Sequence, residues 1–222
     1  MKNLEIDFPE SVDSLIERFK RVWNRNLIEA ENSTSDEVAQ IIINKHQELH
    51  RHYHNTSHLT FCLSQHSLAK TKIPNPDIVE LSLWFHDVIY IPSSVNNEQE
   101  SAELFLKLSQ GQLPGSMNKA IVNAIKASTH QATPLTDDEA FVLDIDLASI
   151  GLPWEEFNRD NEALRAEAPR IHDNLYYEGK TAFLSTLLKR KRIYYTEYFF
   201  NNYEQQARNN ITRYINKQSS KE

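Results

Sequence analysis

Residues 77–90 read DIVELSLWFHDVIY. Apolar side chains fall on nearly every face of this stretch at helical period, which predicts a helix buried all round and central to the fold. The run then interrupts itself. His86 and Asp87 stand side by side among Leu81, Leu83, Trp84, Phe85, Val88 and Ile89. Withdrawing an unpaired charge from water costs several kcal/mol, so this pair needs compensation by a metal ion or a tight ion pair. Buried ionisable groups of this kind tend to mark functional sites.

Outward from this segment the chain continues as helices. Upstream, "IPNPD" (73–77) breaks the pattern, and Pro76 can open the central helix at its first position. "HLTFCLSQHSLA" runs in helical period from about His58, and "TSDE" (34–37) fits a capping box with Glu37 reaching back to Thr34. Val38–Ile43 and Leu49 continue that second helix towards the histidines, and Leu15, Phe19, Val22 and Trp23 predict a first amphipathic helix over 11–26. Downstream, the loop "IPSSVNN" leads to "EQESAELFLKL", and "GQLPGS" separates it from "MNKAIVNAIKAST". A second capping box, "TDDE" (136–139), starts "AFVLDIDLASI", which Gly151 and Pro153 end. The last third reads as two long helices, 154–168 and 179–216, the second open to a break. There are few alternating β-branched runs, no internal repeat, and no low-complexity segment beyond the "KQSSKE" tail. The expected class is all-α: one domain over 1–222, with a core at about 35–151 and flanking helices at 11–26 and 154–216.

Composition narrows the function. A 222-residue chain with 40% hydrophobic residues and four glycines suits one well-buried helical domain. The formal charge of −7 argues against binding a nucleic-acid polymer, and "LLKRKR" (187–192), the one basic cluster, reads as a helix end or solvated face. The single cysteine, Cys62, excludes an internal disulfide. The N-terminal stretch has acids from Glu5 onward and no apolar signal core, and no window approaches a bilayer span. A soluble, cytoplasmic protein with no membrane partner is expected.

Three further groups carry possible chemistry. His46, His50, His54 and His58 are spaced by fours, which on one continuous helix would put them on one face. The segment "HNTSH" (54–58) reads equally as a helix break, and each histidine equally as a solvated or backbone-bonded one. Asp144 and Asp146 interrupt an apolar helix and, two positions apart, point to different faces. His130 sits just past a helix end.

Taken in order, these pieces form a pattern: Tyr53-His54-Asn55 with His58, then Phe85-His86-Asp87 with Tyr90, then Asn97-Glu98 with Ser101-Ala102. Late in the chain stands "EQQARNN", with Glu204, Ala207, Arg208 and Asn209. The set resembles the HD superfamily of metal-dependent phosphohydrolases. It is closest to the bacterial branch marked by YHNxxH, FHDxxY, NExxSA and a late ExxARxN, and it spans residues 51–209. The resemblance implies a helical HD-domain fold and metal ligands His58, His86, Asp87 and Asp146, with Asp146 preferred to Asp144. His54, Glu98 and His130 would line the cleft. The chain departs from the pattern at Ile91, where an aspartate is expected. It departs again at Arg165-Ala166-Glu167-Ala168, where Arg-x-Glu-Tyr is expected, and at Gly179-Lys180, where Gly-Arg is expected.

Two imidazoles and two carboxylates would suit one divalent transition metal, Mn, Fe, Co, Ni or Zn, better than calcium. Glu98 would act as general base, or else it is simply an acid placed well at a helix N-terminus. Arg51 and Lys126 would steady a substrate phosphate, or else they are surface charges. The resulting expectation is hydrolysis of a small phosphate ester, nucleotides among the candidates, by a metal-activated water. Two other classes fit parts of the pattern. A metal- or nucleotide-binding regulatory protein without turnover would keep the ligands and dispense with Glu98. A di-iron oxygenase would need further histidines around the metals. The aromatic run "IYYTEYFFNNY" (193–203) could form a homodimer surface, although such stripes more often belong to the core.

Overall fold

The computed structural model describes residues 11–219, the side chains of Asn32 and Ser219 apart. The first ten residues and the last three, with the end of the "KQSSKE" tail, lie outside the described residues. Among the described residues there are ten α-helices and no strands: α1 (Val12–Asn24), α2 (Ser35–His46), α3 (Thr56–Ala69), α4 (Pro76–Phe85), α5 (Asn97–Ser109), α6 (Gly115–Ala127), α7 (Asp137–Asp146), α8 (Trp154–Ala166), α9 (Asp173–Lys189) and α10 (Glu197–Ser219). None is long and apolar enough to cross a membrane.

The apolar run that opened the sequence is α4, with Pro76 in its first turn and every residue from Val79 to Phe85 buried. It packs against α1, α3, α5, α6 and α7, so its ends are fixed from all sides. Aromatic rings fill the space around it: Phe19 meets Trp84 edge-on at 5.3 Å, and Phe85 meets Phe105 at 5.0 Å. A single contiguous cluster of buried apolar side chains runs from Leu15 on α1 to Tyr214 on α10. The first helix is bound to it by a partly buried ion pair, Arg18 Nε to Glu80 at 2.8 Å.

The structure decides several local alternatives and overturns a few expectations. α2 stops at His46, and Leu49 is 98% exposed. Chain reversal through 47–55 therefore separates the four histidines spaced by fours: His46 is buried behind α2, whereas His58 stands in the first turn of α3. The first capping box does not form, because Thr34 turns its hydroxyl to Gln112 Oε1 (3.2 Å). The second forms only in part. Thr136 Oγ1 accepts from the Glu139 N–H at 3.2 Å, while Glu139 reaches back to the Leu135 N–H instead of the cap residue. The last third holds three helices, since 190–196 interrupts the predicted second one. Asp144 sits at that interruption and accepts from the N–H groups of Tyr195 (2.8 Å) and Thr196 (2.7 Å), anchoring the start of α10. The aromatic run is largely core: Ile193, Tyr194, Phe199 and Tyr203 are buried.

The last helix lies across a 3₁₀ turn, Leu147–Gly151, that follows α7. A Cβ on Gly151 would sit 2.7 Å from the Tyr203 Cβ and 2.9 Å from its carbonyl oxygen. Gly151→Ala is therefore expected to cost ~1–3 kcal/mol through overpacking. A lower urea midpoint with an unchanged slope would show it; an unchanged midpoint would mean that α10 does not press on this turn.

Candidate metal centre

Three helix ends meet beside α4. His58 comes from the first turn of α3, where the Asn55 side chain caps the helix by accepting from the Ser57 N–H at 2.8 Å. His86 and Asp87 follow the last residue of α4, and Asp146 is the last residue of α7. His86 Nε2 lies 2.9 Å from Asp87 Oδ2 and 3.6 Å from Asp146 Oδ1. His58 Nε2 lies 3.5 Å from Asp87 Oδ2 and 3.4 Å from Asp146 Oδ1.

The protonation pattern is legible from the second nitrogen. His86 Nδ1 donates to the Leu83 carbonyl at 2.9 Å, which leaves the lone pair on Nε2. That Nε2 and Asp87 Oδ2 are both buried, and neither has a hydrogen-bond partner despite their closeness. With a neutral ring these are two acceptors, so a positive charge belongs between them, either the proton of an imidazolium or a bound metal ion. Burial drives the His86 imidazole down, but Asp87 and Asp146 outweigh it and hold it well above the usual histidine range. Conversely, burial pushes Asp146 up, while His130, His58 and His86 hold it well below the usual carboxylate range.

Ligand atoms of His58, Cys62, His86 and Asp146 all lie within 4.8 Å of one another, and this group could hold a metal ion. Cys62 is the member that the sequence pattern missed. It sits one helical turn beyond His58, its Sγ 3.6 Å from His58 Nε2. Asp87 is absent from that group of four, yet it lies closest to His86. Asp87 and Asp146 also line a cleft of about 240 Å³, which His58, His86 and Cys62 do not reach. A ligand entering from solvent meets the two carboxylates first.

The surrounding shell comes from distant parts of the chain. His54 and Glu98 line the same cleft. His54 Nδ1 lies 2.7 Å from Glu167 Oε2, and the other oxygen of Glu167 accepts from the N–H groups of Tyr53 (2.8 Å) and His54 (2.9 Å). Burial pushes the Glu167 carboxyl up, and these donors hold it below its usual range. The His54 ring also stacks on Tyr90 at 4.1 Å. Burial, with Asp87 and Asp146 adding to it, raises the Glu98 carboxyl. His130 adopts a left-handed backbone (φ 56°) and aims Nε2 at Asp146 Oδ2, 2.7 Å away. A non-glycine residue holds that conformation only where its surroundings fix it.

Of the two aspartates on α7, Asp146 meets the histidines and Asp144 anchors α10. Two expected cleft residues stand elsewhere. Lys126 is exposed on α6 and does not line the cleft. Arg51 has no exposed side-chain surface, because its guanidinium is spent on backbone carbonyls: His54 (3.0 Å), Asp87 (2.6 Å) and Val88 (3.0 Å). The other motif residues hold the same segment. Ser101 Oγ accepts from the Ile89 N–H at 3.0 Å, and Asn97 bonds both the N–H and the carbonyl of Ile91. His50 Nε2 donates to the Tyr90 carbonyl at 2.9 Å. In "EQQARNN", Glu204 and Arg208 fasten the 188–194 backbone. Asn210, not Asn209, donates to the carbonyls of Ile150 and Leu152.

Arg51→Met should thus act on stability: stranding buried carbonyls is expected to cost about 1–3 kcal/mol for each one left unsatisfied. Lys126→Met should stay within about 0.5 kcal/mol. Chemical denaturation of the two variants decides; an Arg51→Met protein as stable as wild type would refute the clamp. Compared with family models, curated proteins and solved structures, the chain matches none.

Proposed function

We propose that this chain is a metal-dependent hydrolase of a small phosphate ester. The observation that carries the reading is the buried pair His86 Nε2 and Asp87 Oδ2, 2.9 Å apart without a hydrogen bond, with Asp87 lining a solvent-reaching cleft. Metal–ligand bonds of about 2.0–2.2 Å put neighbouring ligand atoms roughly 2.9–3.5 Å apart. The separations of His58 and His86 from the Asp87 and Asp146 carboxylates run from 2.9 to 3.6 Å, which supports a shared divalent cation. Their mixed nitrogen and oxygen donors favour Mn, Fe, Co, Ni or Zn. Cys62 lies behind His58, away from the cleft, and serves to pack the imidazole.

A bound divalent cation supplies water acidified towards neutral pH and a polarised phosphoryl oxygen. The protein does the rest. Glu98, in the first turn of α5 and facing the cleft, takes the proton from water; its raised carboxyl brings it nearer the working pH of a general base. His130 fixes the orientation of Asp146, and Glu167 fixes that of His54 at the cleft wall.

Metal analysis with a phosphatase assay tests the reading. Wild type should carry about one transition ion per chain and hydrolyse 4-nitrophenyl phosphate with added Mn, as one closed ligand set implies. Asp87→Ala should lose both while keeping its helical circular dichroism, and Cys62→Ser should keep both. Loss of the ion in Cys62→Ser but not in Asp87→Ala would move the ion to the cysteine side. A folded wild-type protein that takes up no ion refutes the reading.

A further inference from the structure

The charged lining of the cleft is lopsided. Asp87, Glu98, Asp146 and Asp160 contribute carboxylates, and Lys180 is the one lysine or arginine among the described residues that line it. Lys180 lies on α9 with Phe183 and Leu184, three and four positions on, so one helical face carries all three into the cleft. Its ammonium makes no hydrogen bond and no ion pair within 4 Å among the described residues, although the side chain is half-buried. Lys20, by contrast, reaches from α1 to Asp36 on α2 at 2.8 Å. A half-buried ammonium without a partner, facing a cleft, is a ready anion site.

We propose that Lys180 is the phosphate-binding residue of this cleft, and that the cleft takes a compact substrate bearing a single phosphate group. The proposal rests on the hydrolase reading above and adds the substrate class. A divalent cation would offset Asp87 and Asp146, which leaves Glu98 and Asp160 against one ammonium. A second or third phosphate would meet those surplus carboxylates with no cation to receive it, and like charges brought together at close range oppose binding. The cleft volume of about 240 Å³ also lies below the usual range for ligand pockets, roughly 300–1,000 Å³. Burial lowers the Lys180 amine to about 8, with Asp160 partly opposing, so the ammonium is still the main form at neutral pH. Arg159, in the neighbouring hollow, is 72% exposed and paired with Asp160 at 3.7 Å, and it serves as the control.

Calorimetric titration of inorganic phosphate into Mn-loaded protein tests the site. Lys180→Met should weaken phosphate binding at least about tenfold, the scale of one charge-assisted bond. Lys180→Arg should keep most of the affinity and Arg159→Met all of it, each variant being confirmed folded by circular dichroism. A nucleoside monophosphate should displace phosphate far better than the corresponding Mg-bound triphosphate. Equal binding by wild type and Lys180→Met, or no phosphate binding by wild type, overturns the assignment of Lys180; equal competition by the triphosphate overturns the single-phosphate class. Lysine-dependent phosphate binding without turnover of any ester would sink the hydrolase reading alone.

Discussion

Two carboxylates, Asp87 and Asp146, are carried to the base of a cleft beside the most apolar helix of the fold. Taking an ion out of water costs several kcal/mol even after relaxation. That is a large fraction of the 5–15 kcal/mol by which a domain is stable at all. Such groups persist only if their opposites are held against them. Much of the polar structure inside this protein does that holding. His58 and His86 stand within 3.6 Å of Asp146, and His130 takes its other oxygen. Arg51, Ser101, Asn97 and His50 between them fix the backbone from Asp87 to Ile91.

The same economy explains why similar residues take different parts. Asp144 and Asp146 share a helix, but their side chains leave it on different faces; one anchors α10 and the other joins the histidines. Arg51 and Lys180 are both cations near the cleft. The first gives its forked donors to three carbonyls, which suits a guanidinium, and the second keeps a compact charge unpaired. Glu167 and Glu98 differ in the same way. Glu167 accepts from His54 and two backbone N–H groups, whereas Glu98 faces the cleft.

Much of the fold was legible because α4 is apolar on every face, a pattern that only a central helix satisfies. That His86 and Asp87 need a partner follows from residue types that are costly to bury, whereas the choice of His58 and Asp146 beside them rests on the family resemblance. What stayed hidden depends on tertiary neighbours. Glu167 meets His54 across 113 positions, and nothing local in "RAEA" marks it. Cys62 looked like a lone thiol until the turn of α3 set it beside His58. Thr34 kept the letters of a capping box while Gln112, 78 positions away, took its hydroxyl. Arg51 reads in the sequence as a phosphate contact or a surface charge and is neither, because its charge is visible there and its burial is not.

The most direct test is an anomalous difference map from crystals grown with Mn, collected on the high-energy side of the metal edge. The account predicts one strong peak within about 2.0–2.3 Å of His58 Nε2, His86 Nε2 and a carboxylate oxygen from each of Asp87 and Asp146. No peak there, with the imidazoles instead bonded directly to the carboxylates, would make the cluster a buried ion-pair network and contradict the claim that it is a metal centre.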